Sequence, residues 1–469
     1  MHKYLIGAAC AAALLAQPLA AQTLRPDQAQ FRELYQELVE TNTTLSVGSC
    51  TAAAEKMAAR LKAAGYTDQD ITLFSTPEHP KDGGLVAVLK GSDAKAKPML
   101  LLAHLDVVEA KREDWTRDPF KLIEENGFFY ARGAADDKSM ASIWTDSLIR
   151  FKKDGFKPKR TIKMALTCGE ETTYAFNGAE WLAKNRPELI AAEFALNEGG
   201  GGRLDAQGKR EFLSLQVGEK AAQNYRIETT NPGGHSSRPV PDNAIYELAD
   251  ALKAVQGLEF PVEFTDTTKA FFAGTAKLMG GEMGQAMTAL VANPNDAAAN
   301  AIVSKDPTFH SMLRTTCVAT LLDGGHANNA LPQRAGANIN CRIFPTETVE
   351  QTQAALAKAI NSPKVNLTLV PPVRPHAVPP PLDPKILGPA EKLAQKYFPG
   401  VPLLPTMSTG ATDGIFLEAI GIPVYGVPGI FGEAEGNGAH GLNEHIRVRS
   451  LYEGRDYLFD LVKLYANAV

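Results

Sequence analysis

The chain is defined first by what it lacks. None of its five cysteines is spaced as Cys-x-x-Cys, which argues against a thiolate zinc site. After the N-terminal segment, no run reaches the ~20 apolar residues that a membrane-spanning helix needs, so no stable membrane span is expected. There is no basic excess: 48 Lys and Arg stand against 53 Asp and Glu, for a net charge of −5. Nucleic-acid binding normally needs a basic face, and no arginine-rich or aromatic-stacking motif is present, so no nucleic-acid partner is expected. The Walker Lys-Ser/Thr signature is absent, and Gly199 to Gly202 are therefore read as a flexible loop rather than a phosphate cradle. No internal repeat is found.

What is present fits a soluble globular protein, with 44% hydrophobic and 22% charged residues. At 469 residues the chain is too long for one ordinary core, so two domains are expected. Lys3, the apolar stretch from Tyr4 to Leu15 and the small residues ending at Ala20-Ala21 read as a signal peptide over residues 1–21. The expected location is secreted or periplasmic. Cys10 leaves with that leader; Cys50, Cys168, Cys317 and Cys341 remain. An even count in an oxidising compartment permits one disulfide, though the irregular spacing names no pairing.

Apolar periodicity gives helices over Asp27–Glu40 and Thr51–Ala64. Short apolar runs at Ile71–Phe74, Gly84–Leu89, Met99–Ala103, Ile162–Thr167 and Phe194–Asn197 read as strands. Helices at Lys138–Lys153 and Gly178–Lys184 lie between them. Strands alternating with helices indicate an α/β fold, a mixed sheet flanked by helices. From about residue 220 the texture changes: strands at Tyr225–Thr230, Thr316–Leu322, Ala335–Phe344 and Val365–Val370, helices at Asn243–Val255 and Thr348–Ile360, and an Ala- and Gly-rich helical stretch at 273–302. Seven prolines between Pro371 and Pro384 make a connector. Residues 222–372 are therefore expected to form an α+β domain inserted into a body made of 22–221 and 373–469.

The chemistry-bearing residues follow the ends of the apolar runs, where ligand sites form in open α/β sheets. His104 ends one run, and Asp106 two residues on can orient its imidazole. Asp136 and Asp137 follow a glycine turn; taken alone, they read first as a cap on the next helix. Glu170 and Glu171 end another run, where adjacent carboxylates repel unless a cation or proton compensates. Glu198 ends a third. His440 sits in a glycine-rich loop near the C-terminus. Imidazole and carboxylate ligands together suit zinc.

In that order, these pieces resemble the aminoacylase, carnosinase and carboxypeptidase S superfamily of dinuclear zinc peptidases. The matching motifs are His104-Leu105-Asp106-Val107-Val108, Arg132-Gly133-Ala134-Ala135-Asp136-Asp137-Lys138, Gly169-Glu170-Glu171, Gly233-Gly234-His235-Ser236-Ser237, Asn329-Ala330-Leu331-Pro332 and the His440 loop. The resemblance implies two Zn2+ per subunit. His104, Asp136 and Glu198 would hold one, and Asp136, Glu171 and His440 the other, with Asp136 bridging across a cis Asp136–Asp137 peptide. It makes Glu170 the general base on a metal-activated water, Asp106 the orienter of His104, and His235 an oxyanion donor supplied by the inserted domain, often that of a neighbouring subunit. Arg342 would grip a substrate carboxylate, with Asn329, Gly410 and Thr412 lining the pocket. The inserted domain would act as a lid and as the interface of a homodimer. The implied activity is hydrolysis of amide bonds in short peptides, of the dipeptidase or carboxypeptidase type. The alternative substrate is an N-acyl amino acid; a non-catalytic binding protein on the same fold would lack the ligands or the base, and all six residues are present.

Overall fold

The structure is a computed structural model that describes residues 24–172, 175–427 and 429–468; the leader expected over 1–21 lies outside them. Its centre is the strand Met99–His104, buried at every position. It runs parallel to Ile162–Thr167 on one side and Phe194–Asn197 on the other. Unbroken apolar runs are what parallel strands need when helices cover both faces. These three belong to a mixed sheet with ten strands among the described residues, edged on one side by the Ile71–Thr76 and His79–Leu89 hairpin. His104 pairs with Thr167 across the ladder, so two of the expected functional segments leave the sheet side by side.

One face of the sheet is covered by helices Pro26–Val39, Cys50–Ala63, Lys138–Lys153, Pro384–Tyr397 and Val448–Asn467, around a core that includes Phe31, Met57, Trp144 and Leu461. Arg455 on the last of these is fully buried and pairs with Asp146 of Lys138–Lys153 and Asp27 of Pro26–Val39. A buried charge survives only when paired in this way. Helices Gly178–Asn185 and Gly414–Glu418 cover the other face.

A second sheet runs Thr316–Gly324, Arg334–Ile343, Ala221–Thr230, Val365–Val370, all antiparallel. Helices Ala244–Gly257 and Val349–Ile360 pack on one side, and its other side carries Asn224, Asn340 and Arg342. The helical stretch is larger than the sequence suggested. It comprises Asp266–Met279, Gly281–Ala292, Ala297–Val303 and Pro307–Met312, with its own small core around Phe272, Met287 and Leu290.

Three features differ from the sequence reading. The proline connector ends earlier, because Pro384 opens a helix at its first position, where its missing N–H costs nothing; Asp383 caps that helix through the amide of Lys385. The Gly199–Gly202 loop turns at its first half into a strand, Gly201–Leu204, paired with Arg210–Glu219. Glycine is required there because a β-carbon on Gly202 would sit 2.3 Å from the Phe431 ring. Finally, there are two disulfides, Cys50–Cys168 and Cys317–Cys341, where one was allowed for. The first ties the start of Cys50–Ala63 to the segment that carries Glu170 and Glu171.

The Cys50–Cys168 bridge closes a loop of 118 residues. Chain entropy for a loop of that size makes it worth about 4–5 kcal/mol. Replacing both cysteines with serine should lower unfolding stability by that order, measured by denaturant titration, with the Cys317–Cys341 bridge left intact.

Candidate metal centre

The carboxyl ends of the three central parallel strands supply the first half of the site. His104 is the last residue of Met99–His104; Glu170 and Glu171 follow Ile162–Thr167; Glu198 follows Phe194–Asn197. Asp136 enters from the turn before helix Lys138–Lys153, and the Asp136–Asp137 peptide is cis, as the resemblance implied. His440 comes from the far C-terminal loop, in a left-handed conformation at φ 60°.

Asp136 lies between the two histidines. Its Oδ1 is 3.2 Å from His104 Nε2 and its Oδ2 is 3.3 Å from His440 Nε2. On the first side, Glu198 Oε1 is 3.7 Å from His104 Nε2. On the second, Glu171 Oε2 is 2.9 Å from His440 Nε2. Ligand atoms at ~2.0–2.1 Å from a tetrahedral zinc stand roughly 3.3 Å apart. The observed spacings bracket that value, so the donor set fits a metal site. The five side chains that sequence reasoning named for metal binding are thus brought together.

The charge state of the cluster points the same way. Burial and the nearby Glu198 push the Glu170 carboxyl well above its ordinary range, and burial raises Glu198 too. Burial is opposed at His104 by Glu198, Asp106 and Asp136, which hold its imidazole well above normal. Hydrogen bonds to Asp136 and Glu171 push His440 up to about 10. Carboxylates gathered this closely favour positive charge beside them, from a protonated histidine or a cation.

Asp106 does more than the sequence suggested. Its backbone carbonyl is 3.0 Å from His104 Nδ1, while its carboxylate is 3.6 Å from the same atom. The carboxylate instead accepts the backbone N–H groups of Glu170 and Glu171, at 3.3 and 2.9 Å. One residue therefore steers His104 and fixes the glutamate pair.

Three positioning residues were missed. Glu444 is buried and accepts four bonds: from Arg132 Nη1 at 2.8 Å and from the amides of Gly133, Ala135 and Asp136 at 2.9, 2.8 and 2.9 Å. Arg132 Nη2 in turn donates to the carbonyl of Gly441 at 2.7 Å. Together they lock the Asp136 turn to the His440 loop. Asn177 donates to the Gly169 carbonyl and to Asp413, which also accepts from Thr167. Their signal in the sequence was proximity to a motif: Arg132 and Glu444 lie within quoted segments, but pairing over 312 positions carries no local pattern.

Beside Glu170, Glu171 and His440 a pocket of about 230 Å3 is lined by Arg342, Asn340, Asn224 and Thr412. Burial lowers the Arg342 pKa, and Glu170 offsets part of that. Thr412 is held by Glu219, which accepts from its amide and hydroxyl at 3.0 and 2.8 Å. Gly410 lies at the turn before it, its amide bonded to Ser408 Oγ. His235 and Asn329 are elsewhere. They are neighbours on the short pairing of Gly234–His235 with Ala330–Leu331, His235 is exposed, and neither lines this pocket.

A histidine-and-carboxylate cluster at the carboxyl ends of a parallel sheet, with a further glutamate, Glu170, beside it, is the site of a metal-dependent hydrolase. The chain belongs to Peptidase family M20/M25/M40, whose sequence profile matches residues 100–464. It is 28% identical over 403 residues to the N-fatty-acyl-amino acid synthase/hydrolase PM20D1 of Homo sapiens, covering 84% of this chain and 79% of that one. It is 26% identical over 389 residues to the probable carboxypeptidase S-like 2 of Dictyostelium discoideum, covering 81% and 74%. The fold matches the M20 family metallo-carboxypeptidase Sso-CP2 of Sulfolobus solfataricus with a TM-score of 0.71 at 19% identity, covering 94% of this chain and 100% of that one.

Glu444→Gln keeps the shape but removes the charge that balances Arg132 and weakens the grip on the Asp136 turn. Supporting groups of this kind are worth 10–100-fold in metal affinity. Competition with a chromogenic chelator should show that loss, with circular dichroism unchanged.

Proposed function

We propose that this metallohydrolase cuts the amide bond on the N-terminal side of an amino acid whose free carboxylate is held by Arg342. The observation that carries the reading is that Glu170 and Arg342 share one pocket at the edge of the metal cluster. The proposed ligands are His104, Asp136 and Glu198 for one zinc, and Asp136, Glu171 and His440 for a second. Bound there, the metal ions polarise the scissile carbonyl and lower the pKa of the attacking water. Glu170 accepts the proton of that water and returns it to the leaving nitrogen. Burial and the nearby Glu198 raise its pKa, and positive charge held beside it would bring it down toward the range of a base at neutral pH. Arg342 fixes the leaving residue so that its nitrogen faces Glu170, and Thr412 lines the same pocket; Gly410, two residues before it, does not.

Both short peptides and N-acyl amino acids satisfy this geometry, and relatives of both kinds support it. The two disulfides support an oxidising compartment, secreted or periplasmic. Among the described residues no helix is long and apolar enough to cross a membrane.

We further propose a homodimer through the sheet of the inserted domain, 222–372. The strand Thr316–Gly324 is an edge with Val318, Leu321 and Leu322 exposed at 59, 69 and 71%, beside the exposed Tyr246. An open apolar edge of this kind is a template for pairing with a second copy. It would also give a role to the exposed His235, which does not line the Glu170 pocket of its own chain and would serve a partner's. Light scattering should give a dimer, and mixing inactive Glu170→Gln with inactive His235→Ala protein should restore part of the activity.

On substrates with a free carboxylate, Glu170→Gln should lower kcat by 10²–10⁴-fold with metal content retained. Arg342→Met should raise KM by roughly 10–100-fold, the value of a charge-assisted pair, with a smaller change in kcat. Steady-state kinetics with elemental analysis of both variants checks the pair of roles.

A further inference from the structure

The chain first passes from the body to the inserted domain at Glu219 and Lys220. Glu219 ends the strand Arg210–Glu219, and Ala221 opens the next strand, in the second sheet. Both side chains are buried, with 3% of Glu219 and 0% of Lys220 exposed. Neither lines the Arg342 pocket. We propose that they are positioning residues for the substrate's carboxylate: Glu219 holds the Thr412 wall of the pocket, Lys220 holds the Arg342 strand, and the peptide unit between them sets how far apart the two stand. The inference rests on the role given above to Arg342.

The two side chains bond to opposite domains. Glu219 Oε2 accepts the amide and the hydroxyl of Thr412. Its strand end pairs with Ser408, and the backbone N–H of Lys220 donates to the Gly410 carbonyl at 3.3 Å. All of these partners belong to the body. The Lys220 ammonium reaches the other way. Its Nζ donates to the carbonyls of Ser311 and Arg314 at 3.0 and 2.9 Å, and to the hydroxyls of Ser311 and Thr316 at 3.0 and 3.1 Å. Four acceptors for three protons hold the group at one point. Thr316 stands directly opposite Arg342 across one pairing of the sheet. Ala222, two residues beyond Lys220, stands opposite Arg342 across the other. Lys220 therefore ties together both strands that flank Arg342, at the level of Arg342 itself. Burial, and after it the charge of Arg342, lower the Lys220 pKa to about 7, so the two cations lie within each other's field. Burying an ammonium is costly, and apolar packing would join the same strands. That cost falls beside the residue whose position matters to the substrate.

A double-mutant cycle on the metal-loaded enzyme tests this. The substrates are the fastest-cleaved member of a panel of N-acetyl amino acids and dipeptides, and the carboxamide of that same compound. Lys220→Met removes the ammonium and keeps the stem. It should lower the acid-to-amide ratio of kcat/KM roughly tenfold, the worth of a hydrogen bond to a charged group, and mainly through KM. With Arg342→Met already present, it should change that ratio less than about twofold, because residues that act through one contact do not add. Equal losses on acid and amide, or a double variant whose losses multiply, would show a purely structural role and overturn the proposal. Thr316→Val removes one acceptor opposite Arg342 and should lower the ratio about threefold. If Lys220→Met does not fold, an unchanged ratio in Thr316→Val overturns the proposal instead. On the other side, burial raises the Glu219 carboxyl to about 8, so Gln stands in for its protonated form. Glu219→Ala should raise KM, and Glu219→Gln should recover most of that loss; equal losses in the two would remove Glu219 from the account. If Arg342→Met itself leaves the acid-to-amide ratio unchanged, the carboxylate reading has failed, and this one with it.

Discussion

The structure turns on how the negative charge collected around Asp136 is compensated. Asp136 and Glu171 place ligand atoms within 4.8 Å of each other and of His104, and Asp137 and Glu198 do the same on the other flank. Two like charges at that spacing repel by about 3–4 kcal/mol at an effective dielectric constant of ~20. The two histidines beside these carboxylates relieve this in part. Divalent cations relieve it outright, and the ligand spacing suits them. The cluster is costly without metal and stabilising with it, as expected of a site built for binding.

Holding such a cluster in place is the work of the sheet and of a few buried polar residues. Three parallel strands deliver His104, the glutamate pair and Glu198 to one edge. Asp106 then fixes the glutamate pair by its carboxylate and His104 by its carbonyl. Glu444 and Arg132 bind the Asp136 turn to the His440 loop, which otherwise reaches the site from more than 300 residues away in the chain. The Cys50–Cys168 bridge anchors the glutamate segment from the opposite direction. Positioning is thus spread over backbone amides and covalent links, and the ligands themselves do little of it.

Much of this was legible in the sequence. The strands Met99–His104, Ile162–Thr167 and Phe194–Asn197 are buried on both faces, so their apolar runs were unbroken and easy to read. The proposed ligands His104, Glu171 and Glu198 sit at or just past the ends of those runs. Helix Lys138–Lys153 was bounded correctly for a similar reason. What was hidden is mostly long-range. Glu444 follows the His440 loop with nothing local to mark it, and its role shows only once Arg132 is placed beside it. The hairpin Gly201–Leu204 with Arg210–Glu219 looked like a loop, because its glycines serve close packing against Phe431 rather than flexibility. Helix Pro384–Tyr397 was masked by the prolines before it, the last of which begins it. The second disulfide joins directly paired strands, a proximity that spacing alone could not reveal.

Sharing of Asp136 is the claim on which the proposed chemistry and the logic of the fold both depend. Metal content per chain, measured by elemental analysis after equilibration with zinc, tests it directly in the parent protein and in Asp136→Ala. The account predicts two zinc ions per chain in the parent and the loss of both, together, in the variant. A variant that keeps one ion at full affinity would show two independent sites and contradict the bridged centre.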